Sequence, residues 1–344
     1  MKVSLVGVTG YSGMVLYHLL SQHPQVEKIL LFGHSATATN ENHRSTSGLP
    51  SYLNISDPLL PYDCQTIEER SDVVFFATPA GVTSQVAQPL INDNFPVIDL
   101  SGDYRLKDPL QYQKWYHKEP VAKETLRKAS YNLADLSKPT SNYVANPGCY
   151  ATATLLGLAP LVINHLIEPD SIIVDAKSGL SGAGKKLTTN SHYAYINENM
   201  LPYKVNQHQH IPEICQQLHQ WNDQVNSIQF TTTLVPMTRG ILASIYAKAI
   251  KPTSTDQLQE VYQTFYADHP WARVYLDGFP SVKNVSHSNY CDLGISYNEA
   301  TNTIFVGSVI DNLVKGAAGQ AIQNMNHLFN FDETMGFNLI PDIP

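Results

Sequence analysis

Cys149 follows a tight turn in the run Asn146-Pro147-Gly148-Cys149-Tyr150-Ala151-Thr152-Ala153 and opens an apolar stretch, to about Val162, that reads as a buried helix. A thiol at a helix N-terminus is drawn toward thiolate, because outward-facing amide N–H groups and the helix dipole favour the anion. The same amides can hold the oxyanion that forms when a thiolate attacks a carbonyl. The alternative is an inert cysteine packed as a small hydrophobe.

Three other groups could share that chemistry. His208-Gln209-His210-Ile211-Pro212-Glu213 sets two histidines on one face of an extended segment ahead of a helix. Either His208 or His210 could be a general acid/base near neutral pH. A polar surface segment or a metal pair are the alternatives. No third ligand cluster accompanies the histidines, so no metal is expected. The small-residue loop from Lys177 to Lys186 also leaves a strand and could cradle phosphate with its amides, its lysines adding charge; the Walker spacing is absent, and a surface loop is the other reading. Arg105 and Arg239 could each clamp a carboxylate or phosphate, or form a structural ion pair.

These groups need elements to hold them. Lys2 to Val6 has a strand pattern, Gly7-Val8-Thr9-Gly10-Tyr11-Ser12-Gly13 a glycine turn, and Met14 to Leu20 a helix. Strand, glycine turn and helix in that order are the context of a dinucleotide site, although the spacing is Gly-x-x-Gly-x-x-Gly. The glycines would admit a pyrophosphate to the helix N-terminus, with Thr9, Tyr11 and Ser12 adding hydroxyls. An ordinary β–α turn is the plainer reading. The next strand, Val26 to Phe32, ends in Gly33-His34-Ser35, with no acid for a ribose 2′-hydroxyl. Ser35, Thr37, Thr39, His43 and Arg44 suit a 2′-phosphate, so NADP is the expected cofactor.

Asp72 to Ala77 and Pro96 to Leu100 read as further parallel strands, followed by Thr78-Pro79-Ala80-Gly81 and Ser101-Gly102-Asp103-Tyr104-Arg105. Both loops should face the crevice of the glycine turn. A helix is expected from about Val82, and residues 107–140 read as a helical and loop excursion. Beyond the Cys149 helix, strands are expected at Ser171 to Ala176, Ser227 to Pro236, Ala243 to Ile250 and Thr303 to Ile310, with a helix over Ser254 to Ala267. The last helix runs from Asp311 to Phe329. The fold class is therefore α/β: a Rossmann-type NADP-binding domain over residues 1–148, completed by helix 312–330, plus an α+β catalytic and dimerisation domain over 149–311.

A chain of 344 residues with 43% hydrophobic content and a net charge of −8 suits two domains, and argues against nucleic acid or an anionic membrane as the main partner. Four scattered cysteines without a Cys-x-x-Cys pair fit a reducing cytoplasm. The first residues make too short an apolar run for a signal peptide, and no run is long enough to span a bilayer.

Taken together, these motifs resemble the N-acetyl-γ-glutamyl-phosphate reductases, relatives of aspartate-semialdehyde dehydrogenase, over almost the whole length. They are Gly7 to Gly13, Asp99 to Arg105, Asn146 to Tyr150, Ser178 to Gly184, His208 to Glu213, Pro236 to Gly240, and Asn312 to Gln320. Three segments depart from the family pattern. Gly33-His34-Ser35 lacks an arginine between serines, Tyr131-Asn132-Leu133-Ala134-Asp135 replaces Tyr-Gly-Leu-Pro-Glu, and His208-Gln209-His210 replaces His-Arg-His.

The resemblance implies an oxidoreductase of arginine biosynthesis that reduces N-acetyl-L-glutamyl 5-phosphate to the 5-semialdehyde with NADPH, through a Cys149 thioester. His210 is the expected acid/base and His208 its alternative. The cofactor would meet Gly7, Thr9, Gly10, Tyr11, Ser12 and Gly13. Ser35, Thr78, Pro79, Ser181, Gly182 and Asn312 would complete its site. Arg105, Asn146, Ser178, Lys185 and Arg239 would meet the substrate. A cytoplasmic homodimer or homotetramer acting on a small acyl phosphate is expected. Another acyl-phosphate reductase, such as an aspartate-semialdehyde dehydrogenase, or a non-catalytic NADP-binding sensor are the other readings.

Overall fold

Short, continuous apolar runs make strands buried on both faces, which is the signature of a parallel sheet. In the computed structural model, which describes residues 1–33, 55, 58–337 and 341, such runs form the centre of a sheet of seven strands: β1 (Lys2–Val6), β2 (Lys28–Phe32), β3 (Leu59–Leu60), β4 (Val73–Phe76), β5 (Val97–Asp99), β6 (Ala129–Tyr131) and β7 (Tyr143–Ala145). Every pairing is parallel, in the order β3-β2-β1-β4-β5-β7-β6. The order reverses between β1 and β4, and ligands of open α/β sheets bind at such a reversal, outside the carboxyl ends of the strands.

The helix expected from Val82 is broken, with Thr83–Val86 and Gln88–Asn92 meeting at Ala87. The excursion over 107–140 contains helices Pro109–Tyr116 and Lys123–Leu126, and it also supplies the edge strand β6.

The chain divides into two compact units, Met1–Pro147 with Ala317–Asn338, and Gly148–Gly316 with Leu339–Pro344. The second contains a mixed sheet of β8 (Ile173–Ser178), β9 (Leu201–Tyr203), β10 (Gln229–Leu234), β11 (Ile241–Lys248), β12 (Ala272–Tyr275), β13 (Cys291–Asn298) and β14 (Thr303–Ile310). Its order is β12-β13-β14-β11-β8-β10-β9. Strands β9, β12 and β13 are absent from the sequence-based expectation. In β13 the polar Asp292 and the small Gly294 interrupt the apolar run. Asp292 is fully buried because Arg273 grips it at 2.6 and 2.9 Å, and Pro280 and Phe279 fill the space over Gly294.

Helix Cys149–Ile163 is apolar all round and buried along almost its whole length, as a helix at the centre of a unit must be. It packs on β11 and β14, where Gly157 lets Ile245 and Ser308 come close. Pro160 lies inside it and has no N–H for the carbonyl four residues back, that of Leu156. Helix Thr255–Phe265 and the residue after it make good this loss. The Tyr266 hydroxyl donates to the Leu156 carbonyl, and the Tyr262 hydroxyl to that of Gly157 at 2.5 Å. The front of this helix, where Cys149 stands, is therefore mounted on a rigid rod.

Candidate active site

The turn after β1 is shaped by what a side chain would strike. Gly7 has φ +98°, and a Cβ there would lie 2.5 Å from the Ala77 carbonyl oxygen at the end of β4. A Cβ on Gly13 would lie 2.2 Å from the Gly7 oxygen, so only glycine lets the helix sit this close to the strand. Gly10, the N-cap of helix Tyr11–Gln22, is different: among the described residues its Cβ would meet only the Gly7 oxygen, at 3.8 Å. No side chain caps this helix and no acid stands in its first turn. The amides of Tyr11, Ser12 and Gly13 have no intrahelical acceptors, which is a ready anion site. The donors and the open space fit a dinucleotide pyrophosphate. Ser35 and the neighbouring residues expected at a 2′-phosphate lie outside the described residues.

The loop after β4 is held from below. Asp103, 1% exposed, accepts the amides of Gly81 at 2.7 Å and Ser84 at 2.9 Å, and the Tyr112 hydroxyl at 2.7 Å. Thr78 bonds Thr83 across the same loop at 2.7 Å, and Pro79 at its crest is exposed. Asp99, at the end of β5, accepts from the Ser101 amide and hydroxyl and from Tyr143. Burial, and then the charge of Asp103, push its carboxyl up to about 7. Sequence reasoning placed this loop near the cofactor and missed Asp103 as the group that fixes it. The signal was an acid four residues beyond the end of a strand made of Val97, Ile98 and Asp99.

Two expected substrate contacts turn inward. The Arg105 guanidinium is buried and donates to the carbonyls of Asn146 and Leu100, each at 2.8 Å. Asn146 is fully buried: its oxygen accepts from Asn324 at 2.9 Å, and its amide reaches the Ala317 carbonyl at 3.3 Å. Asn324 in turn accepts from Asn132 at 2.7 Å. Both residues therefore hold the backbone just before Cys149, with the atoms that would have met substrate already bonded to protein.

Cys149 is the first residue of its helix, with Gly148 as an N-cap that brings no side-chain acceptor. The Gly148 amide is taken by the carboxylate of Glu213 at 2.7 Å, and Glu213 is fully buried. The helix amides that remain for an anion include those of Tyr150 and Ala151. Glu213 was not among the expected site residues; an acid within a histidine segment and in the first turn of helix Ile211–Trp221 was the available signal.

The two histidines are distinguishable here. The His208 Nδ1 accepts the backbone amide of His210 at 3.2 Å, and burial, followed by Lys204, lowers its pKa to about 3. His208 is thus a neutral ring locked between Tyr150, Tyr203 and Phe230. His210 sits edge-on to both His208 and Tyr150.

The loop after β8 does not offer the amide cradle expected of it. Gly179, Leu180 and Ser181 donate to the carbonyls of Gly240, Met237 and Thr238 at 2.9–3.0 Å, and Gly182 and Gly184 donate within the loop. Its donors are committed because Gly179 lets the loop lie directly on the Thr238–Arg239 backbone, 2.8 Å from where a Cβ would be. Asn312 fastens the same junction, accepting the Gly240 amide at 2.7 Å and donating to Ser181 at 3.0 Å. Ser178 is buried beside Tyr150, and Lys185 is exposed. Arg239 lies 3.4 Å from the buried carboxylate of Asp311.

Residues 2–166 match the family described as semialdehyde dehydrogenase, NAD binding domain, and residues 149–312 match semialdehyde dehydrogenase, dimerisation domain. The chain is 54% identical over 344 residues to N-acetyl-gamma-glutamyl-phosphate reductase 2 of Lactiplantibacillus plantarum, and 50% identical over 346 residues to the N-acetyl-gamma-glutamyl-phosphate reductase of Listeria monocytogenes serotype 4b; each match spans all of both chains. Among solved structures it resembles aspartate semialdehyde dehydrogenase II from Vibrio cholerae, with a TM-score of 0.70 at 16% identity, over 96% of this chain and 98% of that one. The aspartate semialdehyde dehydrogenase with NADP from Candida albicans gives a TM-score of 0.68 at 16% identity, over 95% and 98%. At such identities the likeness is one of fold.

Proposed function

The chain belongs to the semialdehyde dehydrogenase family, among the N-acetyl-γ-glutamyl-phosphate reductases, and on that premise we propose how its residues carry out the reaction. The substrate is N-acetyl-L-glutamyl 5-phosphate, and the products are the 5-semialdehyde and phosphate, a step of arginine biosynthesis that uses NADPH. The observation that carries the mechanism is the position of Cys149 at the uncapped N-terminus of a buried helix.

His210 takes the thiol proton, and the Cys149 thiolate attacks the acyl carbon. The amides at the head of the helix hold the oxyanion. As the carbonyl re-forms, the C–O bond to phosphate breaks, and His210 returns its proton to the leaving phosphate. NADPH, when bound, supplies the hydride that reduces the thioester carbon. The same amides hold the second oxyanion; its collapse breaks the C–S bond, frees the aldehyde and leaves a thiolate, which regains a proton from solvent.

His208 keeps its proton on Nε2, because Nδ1 is occupied as an acceptor, and so orients His210 without titrating. Glu213 fixes the turn ahead of the nucleophile. Gly7, Gly10, Gly13 and the Tyr11–Ser12 amides hold the cofactor pyrophosphate, with Thr9 beside it and the Thr78–Pro79 loop on the nicotinamide side. Arg239 and Lys185 remain the cations for the phosphate and carboxylate of the substrate. Arg105, Asn146, Ser178, Ser181, Gly182 and Asn312 act by fixing backbone. The family's description of residues 149–312 as a dimerisation domain supports a homodimer or homotetramer; the compartment proposed for it is the cytoplasm.

The test is NADP reduction in the reverse direction, with N-acetylglutamate semialdehyde and phosphate. Phosphate-dependent activity that disappears in Cys149→Ala, with NADPH affinity unchanged, is expected; an active Cys149→Ala enzyme removes Cys149 as nucleophile. His210→Asn should lower kcat far more than it raises KM.

A further inference from the structure

Where the main segment of the second unit ends, the chain does not form an ordinary helix. Val314–Ala318 form a single π-turn before helix Gly319–Leu328 begins, and the Gly316 amide reaches back five residues to the Asp311 carbonyl at 2.9 Å. Such turns insert one extra residue and recur at functional sites. This one is anchored by the Asp311 side chain. One carboxylate oxygen accepts the amides of Leu313 at 2.8 Å and Val314 at 3.0 Å; the other accepts the His287 amide at 2.7 Å and faces Arg239.

The extra residue brings a glycine against the nucleophile. A Cβ on Gly316 would lie 2.6 Å from the Cβ of Cys149 and 3.1 Å from its Cα. Carbon atoms rest at about 3.5–4.0 Å, so any side chain here forces movement by most of an ångström. Little else can yield. The Cys149 Cα belongs to the fully packed helix, and the third neighbour, Ile310 Cδ1, is already within 3.3 Å.

We propose that the π-turn Val314–Ala318, anchored on Asp311, is the seat of the nucleophile, with Gly316 as a positioning residue that sets where the Cys149 sulfur stands. The role rests on the reading of Cys149 as nucleophile, but its geometry can be tested apart from turnover. A misplacement of about 1 Å at a reacting atom costs on the order of 100-fold in rate. Gly316→Ala should therefore lower kcat by about 100-fold, leave KM for NADPH near the wild-type value, and shift the rate and pH profile of Cys149 alkylation by iodoacetamide, read by peptide mapping. Gly157→Ala adds a methyl group to the same helix away from Cys149 and should leave the Cys149 alkylation profile unchanged.

The decisive experiment is a thermal double-mutant cycle of Gly316→Ala, Cys149→Gly and the double variant, which adds a methyl group on one side of the contact and removes the CH2–SH group from the other. Gly316→Ala should lower Tm, and the double variant Cys149→Gly/Gly316→Ala should recover most of the loss, even where the single variant yields little folded protein. Alkylation and kcat unchanged in Gly316→Ala, or Tm losses that simply add in the double variant, would overturn the proposal. Activity retained in Cys149→Ala would instead overturn the nucleophile and leave the steric cycle standing.

Discussion

Two glycine-rich turns leave two strands of this molecule, one after β1 and one after β8, and they put glycine to different ends. After β1, Gly13 lets a helix press on the strand while Gly10 faces open space, so the helix amides look outward. After β8, Gly179 lets the loop lie on the backbone of Thr238 and Arg239, and the loop amides close on neighbouring carbonyls. A glycine pattern thus announces that something comes close to the backbone. Whether the visitor is a ligand or the protein itself depends on where the amides point.

Substitution can separate the two uses. The largest effect is expected from Gly179→Ala, where a methyl group meets backbone that cannot rotate away. Overpacking of this kind costs about 1–3 kcal/mol, roughly 3–10 °C in Tm for a unit of this size, while NADPH affinity by fluorescence titration stays within about twofold of wild type. A large loss of affinity at unchanged Tm would make the β8 loop a cofactor cradle after all. Asn312→Ala should behave similarly but more mildly, removing two hydrogen bonds for about 1–2 kcal/mol. Its signature is again Tm and not NADPH affinity.

Gly10→Ala should do the reverse. Among the described residues its new methyl group meets no atom closer than the Gly7 oxygen at 3.8 Å, but it enters the space left for the pyrophosphate. Tm of the free protein should stay near wild type, and NADPH should bind about tenfold more weakly, a difference of about 1.4 kcal/mol. Loss of Tm without loss of affinity would show that the β1 turn, too, is closed by the protein.

The same contrast explains what the sequence disclosed. Continuous apolar runs such as Val73–Phe76 and the spacing of Gly7, Gly10 and Gly13 are local signals with one dominant physical cause, and the structure follows them closely. Cys149 at a helix start is equally local, since a proline–glycine turn must end before the helix begins. What stayed hidden depends on distant partners. Nothing near Arg105 tells that its donors end on the Leu100 and Asn146 carbonyls, and nothing near Gly148 tells that Glu213 takes its amide. Strand β13 was obscured because its Asp292 is buried by virtue of distant partners, Arg273 and Tyr275 on β12. The π-turn is hidden for the same reason, because the extra residue at Val314–Ala318 is stabilised by a side chain that also holds His287 and Arg239.

In the wild-type protein the smallest net effect comes from the buried titrating groups of the two units, which act with opposite sign. Asp99, in the first unit, is raised from 3.8 to about 7 by burial and by Asp103. The native state therefore keeps this proton longer than the unfolded chain does. Its contribution is complete below pH 3.8, declines as pH rises toward 7, and is constant above. His208, in the second unit, is lowered from 6.5 to about 3. There the unfolded chain binds the proton first, so stability is complete above pH 6.5 and declines as pH falls toward 3. Each slope is at most about 1.4 kcal/mol per pH unit, and in the shared window the two nearly cancel. Asp99→Asn should expose the histidine alone, with Tm rising between pH 4 and 6.5, and His208→Asn should expose the aspartate, with Tm falling over the same range. Where calorimetry resolves two transitions, the one assigned to each unit should carry that unit's sign in the wild-type protein. Identical slopes in both variants would mean that neither buried group titrates as its surroundings dictate.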